Sequence, residues 1–131
     1  MIAADTSVLI DYFQGKSSIQ VEKLDEYFAH HLIVLPPTVI VEILSDAHLP
    51  KKFVERMLEL PILEPTENYW RRAGITRSKL IAKKLKARLA DTLIAQSCID
   101  YQIPLFTRDT DFRHFAKYAG LILLNPGLSQ Q

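Results

Sequence analysis

The chain has 131 residues, 16 Lys+Arg, 15 Asp+Glu and four His. That length closes one hydrophobic core without staples, and 48% hydrophobic against 24% charged residues excludes disorder over most of it. One cysteine, Cys98, excludes an intrachain disulfide framework, and the four glycines, Gly15, Gly74, Gly120 and Gly127, cannot build a G-x-G-x-x-G turn or a Walker loop.

Apolar periodicity alternates between short strands and helices. Ile2-Ala3-Ala4 reads as an opening strand that ends at Asp5. Thr6 or Ser7 can cap a helix through about Phe13, stopped by Gly15. Ser17 and Ser18 precede a second helix, in which Val21, Leu24 and Phe28 recur at helical spacing. Leu32-Ile33-Val34-Leu35 is a buried strand ended by Pro36-Pro37, and a helix follows from Pro37 to about Ala47. Pro50 opens a short helix through Leu60, and Pro61 and Pro65 bracket a minimal third strand. Thr66 to about Lys86 is the longest helical stretch, with Arg72, Lys79, Lys83 and Lys86 on one face. Another helix runs from Ala90 or Asp91 to Tyr101. Pro104-Leu105-Phe106-Thr107 is a strand, Phe112 to Tyr118 a short helix, and Leu121 to Leu124 a last strand. One domain is expected over residues 1–124, followed by a short tail, 125–131, that frays.

This alternation predicts an α/β sandwich with a mainly parallel sheet, in which ligands collect beyond the carboxyl ends of the strands. No apolar run approaches the roughly 20 residues of a membrane span. The start Met1-Ile2-Ala3-Ala4-Asp5 lacks the basic segment of a signal peptide, and a cytoplasmic protein is expected. The net charge of +1 hides an asymmetry: residues 1–66 carry five basic and ten acidic side chains, the remainder eleven basic and five acidic. Eight Lys/Arg and no acid lie between Arg71 and Arg88, which reads either as a solvated helix face or as a surface for phosphates.

Four carboxylates stand out. Asp5 and Asp109 each follow a strand, where a parallel sheet brings them close, although each could be a helix cap. Glu42 sits among Val39, Ile40, Val41, Ile43 and Leu44, so an ionised, unpaired carboxylate there is costly; it is either in a salt bridge or aimed into a site. Asp91 lies in Leu89-Ala90-Asp91-Thr92-Leu93-Ile94-Ala95, as an N-cap or as a second acid of the same kind. Four crowded acids repel unless a divalent cation joins them. Oxygen ligands without paired Cys or spaced His suit Mg²⁺ or Mn²⁺ rather than zinc. His30, His31, His48 and His114 read as surface or helix-end residues, and Cys98 as packing.

The segments Asp5-Thr6-Ser7-Val8-Leu9-Ile10, Val41-Glu42-Ile43, Ala90-Asp91-Thr92-Leu93-Ile94-Ala95 and Leu105-Phe106-Thr107-Arg108-Asp109-Thr110-Asp111-Phe112 together resemble PIN-domain signatures. Their order and intervals are most similar to the VapC-like toxins of bacterial and archaeal toxin–antitoxin pairs, from Ile2 to about Leu124. The resemblance implies a PIN-like three-layer sandwich, with a mainly parallel central sheet of four to five short strands flanked by helices. It also implies divalent-metal-dependent endoribonuclease activity, homodimerisation and inhibition by a cognate antitoxin. By position, the metal-binding and catalytic acids are Asp5, Glu42, Asp91 and Asp109, with Asp111 supporting. Thr6 and Thr107 resemble the hydroxyls that orient those acids. The segment Lys83 to Leu89 departs from the family in lacking the glycine common there, which puts its loop geometry in question.

The expected reaction is hydrolysis of RNA phosphodiesters, in tRNA or rRNA, by water activated at Mg²⁺ or Mn²⁺. Ser7 and Cys98 have no sequence-evident His partner for covalent catalysis. Arg72, Lys79, Lys83, Lys86, Arg88 and Arg108 are candidates for holding the RNA backbone, which supplies affinity rather than sequence choice. The resemblance, together with the acidic site, implies that a partner protein could close the enzyme by inserting a cationic side chain among the four acids. Tyr12, Phe13, Tyr27 and Phe28 are either its apolar docking patch or ordinary core. Competing readings are a PIN nuclease of RNA processing or decay without an antitoxin, a phosphoacceptor receiver domain, and a non-catalytic binding module. The receiver reading lacks the Lys it needs after a late strand and leaves Glu42 without a role.

Overall fold

The computed structural model describes residues 1–124; the expected tail, 125–131, lies outside them. The elements run β1 (Ile2–Ala4), α1 (Thr6–Phe13), α2 (Ile19–Ala29), β2 (Ile33–Val34), α3 (Pro37–Ser45) and α4 (Lys51–Leu58). They continue with α5 (Tyr69–Ala82), α6 (Leu89–Tyr101), β3 (Leu105–Phe106), a 3₁₀ turn (Thr110–Phe112), α7 (Arg113–Ala119) and β4 (Leu123–Leu124).

The strands form one parallel sheet in the order β2-β1-β3-β4. The register pairs Ala3 with Val34 on one side and with Leu105 on the other, so β1 is central. Its Ala3 and Ala4 are fully buried, as small residues must be where helices press on a sheet. Helices flank the sheet in a PIN-like α/β sandwich. Phe106, Phe112, Phe115, Leu9, Leu24 and Leu35 are the largest side chains closed in the core. A parallel sheet sends every strand's carboxyl end to the same edge, so the segments after β1 and β3 meet there.

The elements differ from the sequence reading mainly at their ends. β1 spans its expected run, while β2, β3 and β4 are shorter than the apolar runs that announced them. Pro61-to-Pro65 contributes one isolated bridge, Leu35 to Ile62, because its two prolines withhold N–H groups from any longer ladder. The longest helix begins at Tyr69 and ends at Ala82, so the expected basic face does not reach Lys86. Lys84 turns the chain away in the left-handed region, φ +60°, with its N–H donating to the Ile81 carbonyl. This residue takes a conformation that a glycine adopts without strain.

Helices α5 and α6 are locked by polar contacts. Arg72 Nε and Nη2 donate to the two oxygens of Asp100 at 3.0 and 2.7 Å, and Gln96 adds a bond to Asp100 at 2.8 Å. Thr76 donates to Gln96, and Tyr69 donates to the Leu93 carbonyl at 2.6 Å. Among the described residues, every buried side-chain polar atom is hydrogen-bonded, and no helix is long and apolar enough to cross a membrane.

Candidate metal centre

Asp5 ends β1 and caps α1, accepting from the Val8 N–H at 3.3 Å. The cap engages Oδ1 and leaves Oδ2 to a different partner. Ser7 donates to Oδ1 at 2.7 Å, and Thr107, at the end of β3, donates to Oδ2. Burial pushes the Asp5 carboxyl above the usual range; the bonds from Thr107, Ser7 and Val8 pull it back, and the nearby Asp109 charge adds to the rise. Neither Thr6 nor Ser7 is the cap expected from sequence. Thr6 instead donates to Glu42 Oε1 at 2.7 Å, across 36 positions of chain.

Thr107 is the joint of the site. While its hydroxyl serves Asp5, its oxygen accepts from the Asp109 N–H at 3.0 Å. Asp109 in turn caps the 3₁₀ turn by accepting from the Asp111 N–H at 2.8 Å. This tight run turns Asp109 and Asp111 toward α6. There Asp91 stands at the third position of the helix rather than at its cap, because Arg88 occupies the cap position. One carboxylate oxygen from each of Asp91, Asp109 and Asp111 lies within 4.8 Å of the other two.

The electrostatics reflect this crowding. Asp91 is pushed up to about 6, first by burial and then by the charges of Asp109, Asp111 and Glu42; Arg88 acts against the shift. Asp111 is held below the ordinary carboxylate range by Lys86, whose Nζ lies 3.0 Å from its Oδ2. An all-oxygen cluster of half-buried carboxylates, in which the neighbouring acids hold Asp91 above its ordinary range, fits a hard divalent cation such as Mg²⁺ or Mn²⁺.

The sequence reading ranked Asp5, Glu42, Asp91 and Asp109 together and Asp111 behind them. In the structure Asp91, Asp109 and Asp111 form the inner group. Asp5 and Glu42 flank it, through Thr107 and through the field at Asp91. The apolar neighbours of Glu42 do not enclose it, since Val41 and Leu44 are 63% and 57% exposed. Among the described residues it has no salt bridge; Thr6 is its partner. The histidines stay out of the oxygen cluster, although His114 lies near enough to help hold Asp111 ionised. Cys98 is buried, and burial pushes its thiol up to about 12, which suits packing rather than nucleophilic chemistry.

The candidate RNA-binding cations divide. Lys86 and Arg88 stand beside the acids. Arg72 is engaged by Asp100, and Lys83 lies over the Tyr118 ring at 4.9 Å. Lys79 is exposed in the last turn of α5. Arg108 Nε meets Asp11 Oδ2 at 2.6 Å. Asp11, buried in α1, was not singled out in the sequence, where it reads as one polar position in an amphipathic helix. The four aromatic residues of the first half also divide. Tyr27 packs edge-on against Phe106, while Tyr12, Phe13 and Phe28 line a groove of about 940 Å³ with Phe53, Met57 and Leu60.

Solved structures share this architecture. FitAcB from Neisseria gonorrhoeae matches with a TM-score of 0.76 at 22% identity, over 98% of this chain and 99% of that one. VapBC2 from Rickettsia felis, bound to a DNA fragment from its promoter, gives 0.71 at 21% identity, over 95% and 98%. VapBC-5 from Mycobacterium tuberculosis, of the VapBC family of toxin–antitoxin systems, gives 0.65 at 17% identity, over 94% and 96%. No curated protein matches the chain in sequence. The family model for the PIN domain matches residues 2–118, the span that carries β1, the acid-bearing turns after β1 and β3, and the N-terminal end of α6. With the parallel sheet and the gathered carboxylates, that match means the chain belongs to the PIN domain family.

Proposed function

We propose that this chain is a VapC-like toxin: a divalent-metal-dependent endoribonuclease that acts in the cytoplasm, hydrolyses tRNA or rRNA phosphodiesters, and is silenced by a cognate antitoxin. The observation that carries the reading is the meeting of Asp91, Asp109 and Asp111 within 4.8 Å at the carboxyl edge of a parallel sheet, bordered by Lys86 and Arg88. Asp91, Asp109 and Asp111 would hold Mg²⁺ or Mn²⁺, with Asp5 and Glu42 as flanking ligands directly or through water. Such an ion supplies an acidified water and a Lewis acid for the phosphate oxygens. Thr107 and Ser7 orient Asp5, and Thr6 orients Glu42, so the acids are fixed before substrate arrives. Lys86, Arg88, Arg108, Lys79 and Lys83 offer positive charge to the RNA backbone.

Partners follow from two surfaces. The groove lined by Tyr12, Phe13, Phe28, Phe53 and Met57, with Lys52 and Arg56 at its wall, fits an amphipathic antitoxin segment with acidic residues beside its apolar ones. Exposed Val41 and Leu44 on α3, with Leu89 at the start of the adjoining α6, support a second copy of the chain there. The likeness to VapBC-5, a member of a toxin–antitoxin family, supports the antitoxin assignment.

The test is cleavage of total tRNA and rRNA by the purified chain with Mg²⁺, Mn²⁺ or EDTA, beside Asp91→Asn. Defined fragments that need metal and vanish in the folded variant are expected. Growth arrest on expression, relieved by the product of a neighbouring gene, is expected for a toxin; RNA cleavage without such rescue would leave an RNA-processing nuclease instead. Equal cleavage by wild type and variant would end the metal mechanism.

A further inference from the structure

Asp11 has a use that core packing does not require. It lies six residues beyond Asp5, about 9 Å farther along α1 at 1.5 Å per residue. Its side chain is only 10% exposed, and yet it holds two cations: Lys16 Nζ at 3.1 Å on Oδ1 and Arg108 Nε at 2.6 Å on Oδ2. A lone buried carboxylate in the helix would be costly, and one cation would suffice to satisfy it. With two, the group carries a net positive charge at the rim of an acidic centre.

Arg108 is placed between two working parts of that centre. Thr107, before it, bonds Asp5; Asp109, after it, belongs to the inner oxygen cluster. The side chain leaves this turn and reaches back to α1, and half of it is open to solvent. Its terminal nitrogens donate no hydrogen bond to the described residues. A guanidinium anchored at Nε retains a planar fork of N–H groups, which matches a phosphate in geometry and charge.

Resting on the nuclease reading above, we propose that Asp11 is a positioning residue for substrate. It anchors Arg108 so that the guanidinium binds a backbone phosphate flanking the scissile one. The arrangement suits a flexible single strand, whose phosphate can bend into the fork, more than a stiff duplex. Arg108 thereby adds affinity and register while the acids do the chemistry. Lys16, on the opposite oxygen, keeps Asp11 compensated whether or not RNA is bound.

The experiment is a double-mutant cycle with wild type, Asp11→Asn, Arg108→Ala and the double variant, on one labelled single-stranded RNA that the wild type cuts, over a series of salt concentrations. Each single variant is expected to raise KM about tenfold with kcat within about twofold, the pattern of lost uniform binding. The double variant should be no worse than Arg108→Ala alone. The salt dependence of 1/KM should become shallower by about 0.7 in log–log slope, the share of one phosphate on a single strand. Thermal melting and Mn²⁺ titration of each variant separate this from a structural tether, which would lower kcat and Mn²⁺ affinity and leave the salt slope unchanged. That result, additive effects in the double variant, or an Asp11→Asn enzyme with wild-type KM would overturn the positioning role. A wild-type chain that cuts no RNA removes the nuclease reading itself, so the two failures are distinct.

Discussion

Asp91 reports on the centre through one proton. Its carboxyl is pushed up to about 6 by burial and by neighbouring acids, above its ordinary value of 3.8. The folded metal-free chain therefore binds a proton more readily than the unfolded one between these values. For this group, stability is gained as pH falls through about 6 and is lost as pH rises through it. Metal binding has the opposite preference, because a ligand carboxylate must give up its proton. We expect Mn²⁺ affinity, measured by calorimetry, to be flat above pH 7 and to weaken toward about tenfold per pH unit below 6. Asp91→Asn should abolish that pH dependence along with most of the binding, and should melt at least as high as wild type without metal at pH 7. Thr107 makes a second residue-scale case. Thr107→Val keeps the shape and removes the bonds to Asp5 and to the Asp109 N–H. A loss of about 1–3 kcal/mol in denaturant unfolding is expected, since both partners are left short of a bond in a half-dry site. Cleavage should fall with it, because Asp5 and Asp109 lose their common support.

Among the elements, the join between α5 and α6 decides most. The basic run from Arg71 to Arg88 does not form one face: α5 stops at Ala82, Lys84 turns left-handed, and the residues beyond it bring Lys86 to Asp111. The turn is strained because Lys84 carries a Cβ at φ +60°. Lys84→Gly should relieve that cost and, after the added freedom of the unfolded chain is subtracted, stabilise by about 0.5–1 kcal/mol. Equilibrium urea unfolding measures it, and a loss of stability would refute the strain argument. Arg72 belongs to this join rather than to an open phosphate surface, for its guanidinium is spent on Asp100, Thr66 and the Glu67 carbonyl.

At the scale of the molecule, the parallel sheet concentrates acids that are remote in sequence, and folding bears the repulsion. A ligand that binds only the folded chain offsets it by mass action. Mn²⁺ at about one hundred times its Kd should stabilise by about 2.7 kcal/mol, seen as a rise in Tm that EDTA reverses and Asp91→Asn does not show. The same arrangement explains how a partner could close the site: one inserted cation would satisfy carboxylates that Lys86 and Arg88 satisfy only from the border. The groove lined by Tyr12, Phe13 and Phe53 and the exposed Val41 and Leu44 of α3 share no residue, so the two contacts proposed above, with an antitoxin and with a second copy, would not compete for the same side chains.

The element order, the parallel α/β architecture and the acid-bearing segments were legible from the chain alone. Alternating short apolar runs and amphipathic stretches admit few other folds, and the turns after strands must carry polar residues. Asp5 and Asp109 could be placed at strand ends because a strand's end is a local property. What waited on tertiary structure was which oxygens meet. The grouping of Asp111 with Asp91 and Asp109 depends on a 3₁₀ turn set by two hydrogen bonds, and the exchange of partners between Thr6 and Glu42 depends on packing across 36 positions. The fate of the cations was equally hidden. Lysine and arginine side chains are long, and whether one meets an acid, a ring or solvent is decided by what folding brings within its reach. Asp11 shows the limit most directly. In sequence it is one acid on a helix; only the fold brings Arg108 and Lys16 to it.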